Sequence, residues 1–258
     1  MSDYALPNNS VDLSGQVALV TGTTSGLGWR FARVLANAGA KVALTGRRTE
    51  RLDELAELIG AEGGQCAPFR LDMTDMSNVV DVVEQVESAL GTVTILVNNA
   101  GIPDAQRAHK MDQELIDAVF DTNLRGPYVL SCEVARRLIA AKSPGRMVNI
   151  SSVGAFNYAG GGAALYSITK AGIARMSEVL AVEWARFHIN VNCIAPGAFA
   201  SEMMDGMVGR IGEFYKASPR KRLCDPAQLD STLLYLCAPA SECVTGSIIS
   251  VDDGQSSR

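Results

Sequence analysis

The chain has 258 residues, 47% hydrophobic and 20% charged, which is ample apolar material for one large core and excludes a largely disordered chain. Its 23 Lys and Arg against 28 Asp and Glu leave a net charge of −5, so the basic face needed to grip a phosphate backbone is missing and no nucleic-acid partner is expected. No apolar run approaches the ~20 residues of a membrane span, and residues 1–12 carry no Lys or Arg and no apolar signal segment; a cytoplasmic protein without a membrane partner is the expectation.

In chain order, residues 1–12 read as a mobile tail and 13–258 as a single domain. Short β-branched runs at 17–21, 41–45, 66–71, 95–98, 146–150, 189–195 and 247–251 alternate with amphipathic segments at 26–38, 51–62, 76–90, 113–141, 163–186, 201–215 and 226–238. Repeated βα units of this kind predict an α/β fold, a Rossmann-like, doubly wound, parallel seven-stranded sheet with helices on both faces. The six cysteines, at 66, 132, 193, 224, 237 and 243, form no C-x-x-C pair and read as small buried apolar residues. With only His109 and His188 available, no metal centre is expected, and neither histidine accompanies a G-x-S-x-G nucleophile turn.

The first strand runs straight into Thr21-Gly22-Thr23-Thr24-Ser25-Gly26-Leu27-Gly28 and then a helix. Strand, glycine turn and helix N-terminus form the order that phosphate binding requires: missing Cβ atoms admit a pyrophosphate, and unpaired amides meet its charge. The spacing is G-x-x-x-G-x-G, which differs from G-x-G-x-x-G and lacks the G-K-[ST] of a triphosphatase loop. At the tip of the second strand, where an acidic residue would hold a free ribose hydroxyl, stand Arg47 and Arg48. Guanidinium pairs with phosphate there favour NADP(H) over NAD(H); the alternative is a solvated basic turn.

Tyr166 and Lys170 lie four residues apart near the start of the 163–186 segment, hence on one helical face. An ammonium beside a phenol should lower the phenol pKa and let it exchange protons near neutrality. Ser151 and Ser152 follow a strand at its carboxyl end, where ligands of open α/β sheets bind. Ser167-x-x-Lys170 also matches the S-x-x-K of penicillin-recognising acyl enzymes, but their S-D-N and K-T-G strings are absent.

Together these residues resemble the short-chain dehydrogenase/reductase family from about Leu13 to Gln255: the glycine loop, Asn98-Asn99-Ala100-Gly101, Asn123, Ser152 with Tyr166 and Lys170, and Pro196-Gly197. The resemblance implies Tyr166 as general acid or base, Lys170 lowering its pKa and holding the nicotinamide ribose, Ser152 polarising the carbonyl, and Asn123 positioning a water. It also implies cofactor contacts by Gly22, Thr24, Ser25, Gly26, Leu27 and Gly28, by Arg47 and Arg48, by Asp72 and Met73 near the adenine, by Asn99, Ala100 and Gly101, and by Pro196, Gly197, Phe199 and Ser201 around the nicotinamide. Asn98 is assigned to tying strands together.

Two departures stand out. Ser152 precedes Tyr166 by fourteen residues where the family usually has thirteen, which keeps Ser151 as a rival, and Asp253 occupies a usual glycine position. Residues 198–222 should form the substrate loop, with Phe199, Met203, Met204, Met207, Ile211, Phe214 and Tyr215 either lining an apolar pocket or buried in the protein's own core. Arg220-Lys221-Arg222 is either a grip for an acyl carrier's phosphates or a solvated structural turn. The expectation is an NADP(H)-dependent oxidoreductase acting on a small carbonyl or alcohol and assembling as a homo-oligomer, a tetramer or dimer. The alternatives are a 3-oxoacyl-thioester reductase and a non-catalytic NADPH-sensing regulator.

Overall fold

The aliphatic runs become the seven strands of one parallel sheet in the computed structural model, which describes residues 8–158 and 160–256. They are β1 Val17–Thr21, β2 Lys41–Gly46, β3 Gln65–Arg70, β4 Ile95–Asn98, β5 Gly145–Ile150, β6 Ile189–Pro196 and β7 Ile248–Val251. The helices are α1 Gly26–Asn37, α2 Thr49–Ala61, α3 Met76–Leu90, α4 Gln113–Phe120, α5 Gly126–Ala141, α6 Ala164–Trp184, α7 Glu202–Ile211 and α8 Asp230–Cys237. Residues 8–12 are exposed and lack regular structure; the rest of the expected tail, 1–7, lies outside the described residues.

Strand order is β3-β2-β1-β4-β5-β6-β7. Chain direction across the sheet therefore reverses between β1 and β4, and the connections leaving their carboxyl ends diverge to open a crevice. Both faces of the sheet are covered, so alternate strand residues feed two cores. Val17 and Leu19 pack with Val82, Leu130 and Ile173 under α3, α5 and α6. Ala18 and Val20 pack with Phe31, Leu55 and Leu233 under α1, α2 and α8.

Every strand lies within one residue of its expected limits at each end, because β-branched runs bounded by turns leave little freedom. The helices differ more. The expected single helix over 113–141 is divided by a wide π-type turn at Asp121–Arg125, which a 3.6-residue periodicity hides. At its exit a Cβ on Gly126 would come within 2.7 Å of the Met73 carbonyl, so the widened turn lets the chain press against the segment after β3. The segment at 201–215 closes early, at Gly212 with φ +76°, and continues as a 3-10 turn at Phe214–Ala217.

The cysteine reading needs correction. Cys193, Cys224 and Cys237 are buried, and burial pushes the thiols of Cys193 and Cys237 up to about 11 and about 12. Cys66 and Cys132 are half-buried and Cys243 is exposed, since it sits in the turn after Pro239–Ser241 rather than on a core-facing element.

A buried polar string crosses the α5–α6 face. Asn98 Nδ2 donates to Ser131 Oγ (2.9 Å) and to Asn149 Oδ1 (2.8 Å), and Asn149 Nδ2 donates to Ser177 Oγ (2.9 Å). Asn98 and Asn149 are register partners on β4 and β5, so the expected strand-tying role is what the geometry shows. Asn98→Ala should strand a buried acceptor on Asn149 and cost about 2–3 kcal/mol, measurable by urea unfolding.

Candidate active site

At the crevice the loops after β1 and β4 are stitched together. Thr21 Oγ1 accepts from Asn99 N (3.0 Å) and Ala100 N (2.9 Å), while Asn99 Nδ2 donates to Thr21 O (2.9 Å) and Gly22 O (3.2 Å). The glycines are what allow this approach: a Cβ on Gly28 would sit 2.2 Å from Gly22 O, and one on Gly22 would sit 2.9 Å from Ala100 Cα. Asn99, expected as a cofactor contact, spends its amide on the loop backbone. Ser25 makes no side-chain cap, and the first bond of α1 runs from Trp29 N to Ser25 O. The amides of Gly26, Leu27 and Gly28 therefore have no partner within the helix and lie at its positive end.

The two arginines after β2 take different roles. Arg48 donates to Thr24 Oγ1 (2.9 Å), Ser25 Oγ (3.1 Å) and the Glu202 carboxylate (3.2 Å), which ties the glycine loop to the first turn of α7. Arg47 is exposed, lines the same cleft and has no ion-pair partner among the described residues.

Across the crevice, α6 presents Tyr166 and Lys170. Lys170 is 4% exposed, its Nζ donates to Ile150 O (2.8 Å) and lies 5.6 Å from the Tyr166 ring centroid. Burial pushes its ammonium down to about 8. Burial also raises the Tyr166 phenol, the nearby Ser152 hydroxyl pulls it back, and Asp104 raises it further. The expected lowering of Tyr166 by Lys170 is thus overturned in the protein alone: four-residue spacing reports proximity, whereas desolvation of both groups decides the sign. The two neighbouring serines point differently. Ser151 Oγ turns away to donate to Lys170 O (2.7 Å), while Ser152 Oγ accepts from Gly154 N (3.1 Å) beside the phenol.

Asn123 lies on the inner side of the wide turn, accepting from Ile102 N (2.8 Å) and donating to Ile102 O (2.9 Å) and Thr169 Oγ1 (3.3 Å). Gly101 separates it from the lysine, its Cβ position being 3.4 Å from both Asn123 Oδ1 and Lys170 Nζ.

The outer wall is α7 and the segment after it. Ser201 caps α7 by accepting from Met204 N (3.2 Å), and none of the helix's residues is buried. Met203, Met204, Met207 and Ile211 line the cleft instead, which decides against a helix buried in the protein's own core. Arg220 and Arg222 pair with Asp253 at 2.9 and 2.7 Å, and Asp253 has φ +56°. The residue in the usual glycine position accepts a left-handed backbone and pairs with two of the three cations of the basic run, which gives that run a structural tie.

These walls enclose a cleft of about 920 Å³, lined by every expected cofactor residue except Gly28 and by Ser152, Tyr166 and Lys170, while Asn123 and Gly28 support it from behind. Sequence reasoning missed Asp104 and Gln255. Asp104 binds the first turn of α6, and Gln255 Oε1 accepts from Ala198 N (2.9 Å) against the bare face of Gly197. Neither has a local signal, since each acts on a segment more than fifty residues away.

The sequence pattern of the short chain dehydrogenase family matches residues 16–209. The chain belongs to the short-chain dehydrogenase family. It is 35% identical over 246 residues to gluconate 5-dehydrogenase of Gluconobacter oxydans, covering 94% of this chain and 95% of the relative. It is 36% identical over 247 residues to acetoacetyl-CoA reductase of an Acinetobacter species, covering 93% and 97%. A variant of actinorhodin polyketide ketoreductase solved with NADPH superposes with a TM-score of 0.87 at 29% identity, covering 93% of this chain and 97% of that one. This short-chain dehydrogenase is an oxidoreductase, and its family uses a nicotinamide cofactor. The residues fit that group: the helix-end amides and bare glycines suit a pyrophosphate, and the Ser152–Tyr166–Lys170 wall suits the reacting end. Gly28→Ala should force the loop apart, costing about 1–3 kcal/mol of stability and weakening cofactor binding at least tenfold in a fluorescence titration.

Proposed function

We propose that this short-chain dehydrogenase uses NADP(H) to interconvert a ketone and a secondary alcohol, with Tyr166 as general acid and base. The observation that carries the reading is the convergence of Ser152, Tyr166 and Lys170 on one wall of a cleft whose far end holds Arg47, without an ion-pair partner among the described residues. The cofactor supplies or accepts the hydride at the substrate carbon. The Gly26 and Leu27 amides would hold its pyrophosphate, Arg47 its 2′-phosphate, and Asp72 with Met73 its adenine side. Arg48, engaged with Thr24, Ser25 and Glu202, acts as a strut beside it.

In reduction, the substrate oxygen sits between Ser152 and Tyr166. Ser152 already accepts from Gly154 N, so its own proton is available to that oxygen. Tyr166, kept protonated by burial, donates its proton as charge develops. Lys170, held by Ile150 O, balances the tyrosinate that forms, and Asn123 anchors the relay behind Gly101. Oxidation runs the same steps backwards.

The free ketone is favoured over a thioester carrier because Arg220 and Arg222, the cations suited to carrier phosphates, are taken by Asp253. The cation that does line the outer cleft without an ion-pair partner among the described residues is Arg210, which suits a substrate bearing a carboxylate; the gluconate-oxidising relative points the same way. A carbonyl panel with and without carboxylates, followed by NADPH and NADH absorbance, tests the reading. Tyr166→Phe should lower kcat by about 10²–10⁴-fold with NADPH affinity retained. Arg47→Ala should weaken NADPH about 10–100-fold and leave NADH almost unchanged. Equal weakening of both cofactors would remove Arg47 from the phosphate role, and NADPH binding without turnover on any carbonyl would favour a sensor.

We place the protein in the cytoplasm as a homo-oligomer. No helix among the described residues is long and apolar enough to cross a membrane. Tyr128 on α5 and Ile168 and Val182 on α6 are 50%, 59% and 81% exposed, an apolar face suited to a second copy. Sedimentation velocity should give a dimer or tetramer mass, and Val182→Glu should shift it downward.

A further inference from the structure

Helix α6 carries the acid and base of the site yet starts without a cap of its own. Ala163 precedes it and supplies no side-chain hydrogen bond, and the first intrahelical bond is from Ser167 N to Ala163 O. The amides of Leu165 and Tyr166 would be orphaned. They are met instead by a carboxylate sixty residues upstream: Asp104 Oδ2 accepts from Leu165 N at 2.8 Å and Tyr166 N at 3.2 Å. Oδ1 of the same group accepts from Ala105 N at 2.8 Å, so this 2% exposed carboxylate is satisfied on both oxygens.

Two further features mark the turn as built for this contact. Ala105 holds φ +54°, a left-handed conformation that costs a non-glycine residue free energy and persists where the surroundings impose it. The chain then passes over Gly162, where a Cβ would stand 3.2 Å from both the carbon and the oxygen of the Gln106 carbonyl. Carboxylate, strained turn and bare glycine all act on the one turn of helix that holds Tyr166.

We infer that Asp104 is a positioning residue for the reaction, clamping the first turn of α6 from the loop after β4 and so setting where Tyr166 stands against Ser152. The inference rests on Tyr166 being the acid and base. Because the clamp is an anion, it also opposes phenolate formation. The groups facing Tyr166 are Ser152 from the end of β5, Lys170 from α6 and Asp104 from the β4 loop, with Cys193 of β6 facing Lys170 and Arg210 and Tyr215 on the outer cleft wall. Asp104 is the only anion in the first group, so its charge favours the protonated phenol, the form that donates in reduction.

The sign of the test follows. Neutralising Asp104 lowers the phenol pKa, so the alkaline limb of the reduction rate and the acidic limb of the oxidation rate both move to lower pH. Asp104→Asn keeps one oxygen for the two helix amides, gives up the Ala105 N contact and removes the charge: both limbs should drop by about one pH unit with kcat within about tenfold of wild type. Asp104→Ala removes the clamp as well, and kcat should fall about 10–100-fold with KM little changed. Hydrogen exchange on the wild-type protein gives a readout independent of turnover, in which Leu165 and Tyr166 amides should be protected far beyond Ala164.

Unmoved limbs in folded Asp104→Asn would overturn the inference, as would Leu165 and Tyr166 amides exchanging as freely as Ala164 in the wild type. If neither variant folds, the wild-type exchange pattern decides. Failure of the underlying reading looks different: Tyr166→Phe would retain turnover whatever the exchange pattern shows.

Discussion

The stitch between Thr21 and Asn99 is the constraint on which the rest of the cleft depends. Reversal of strand order between β1 and β4 separates the two connections, and without a tether their backbones would diverge into solvent. One hydroxyl and one amide side chain, exchanging four hydrogen bonds with the opposite loop, hold the glycine turn against the β4 loop. The approach is so close that no side chain fits at Gly22 or Gly28. The helix-end amides of α1, the floor at Gly101 and the lysine behind it are all placed by that contact.

The opposite wall is governed by desolvation. Tyr166 and Lys170 occupy a region where a charge of either sign is costly, and each is driven toward its neutral form. Fixed groups decide how far: the Ile150 carbonyl holds the ammonium, Ser152 supports the phenolate, and Asp104 opposes it. What looks like a pair of side chains is better described as a balance among five groups from three elements.

Local order was largely legible in the residues themselves. Strand limits followed from β-branched runs, and the glycine loop, Ser152 and the Tyr166–Lys170 spacing from short motifs whose geometry is set within one element. What escaped was of two kinds. Arg47 and Arg48 are neighbours, and adjacency does not say which guanidinium is spent on Thr24 and Glu202 and which stays free. Asp104, Gln255 and the Asp253 ion pairs join segments tens of residues apart, and such pairings leave no periodicity to read. Ala163 has no side-chain acceptor to cap α6, so the start of that helix depends on a group from elsewhere.

Helix α7 is moored at both ends. Its first turn is tied through Glu202 to Arg48 and packs Ser201 within 3.2 Å of where a Gly26 Cβ would stand; beyond its last turn, Arg220 and Arg222 are tied to Asp253. Between these moorings no helical residue is buried. The ion pairs at both ends are exposed, so each holds weakly and together they bias the strap to lie over the cleft without locking it. The left-handed Gly212 lies between them, at the point where the helical hydrogen bonding stops, so the chain is least constrained midway between its two anchors.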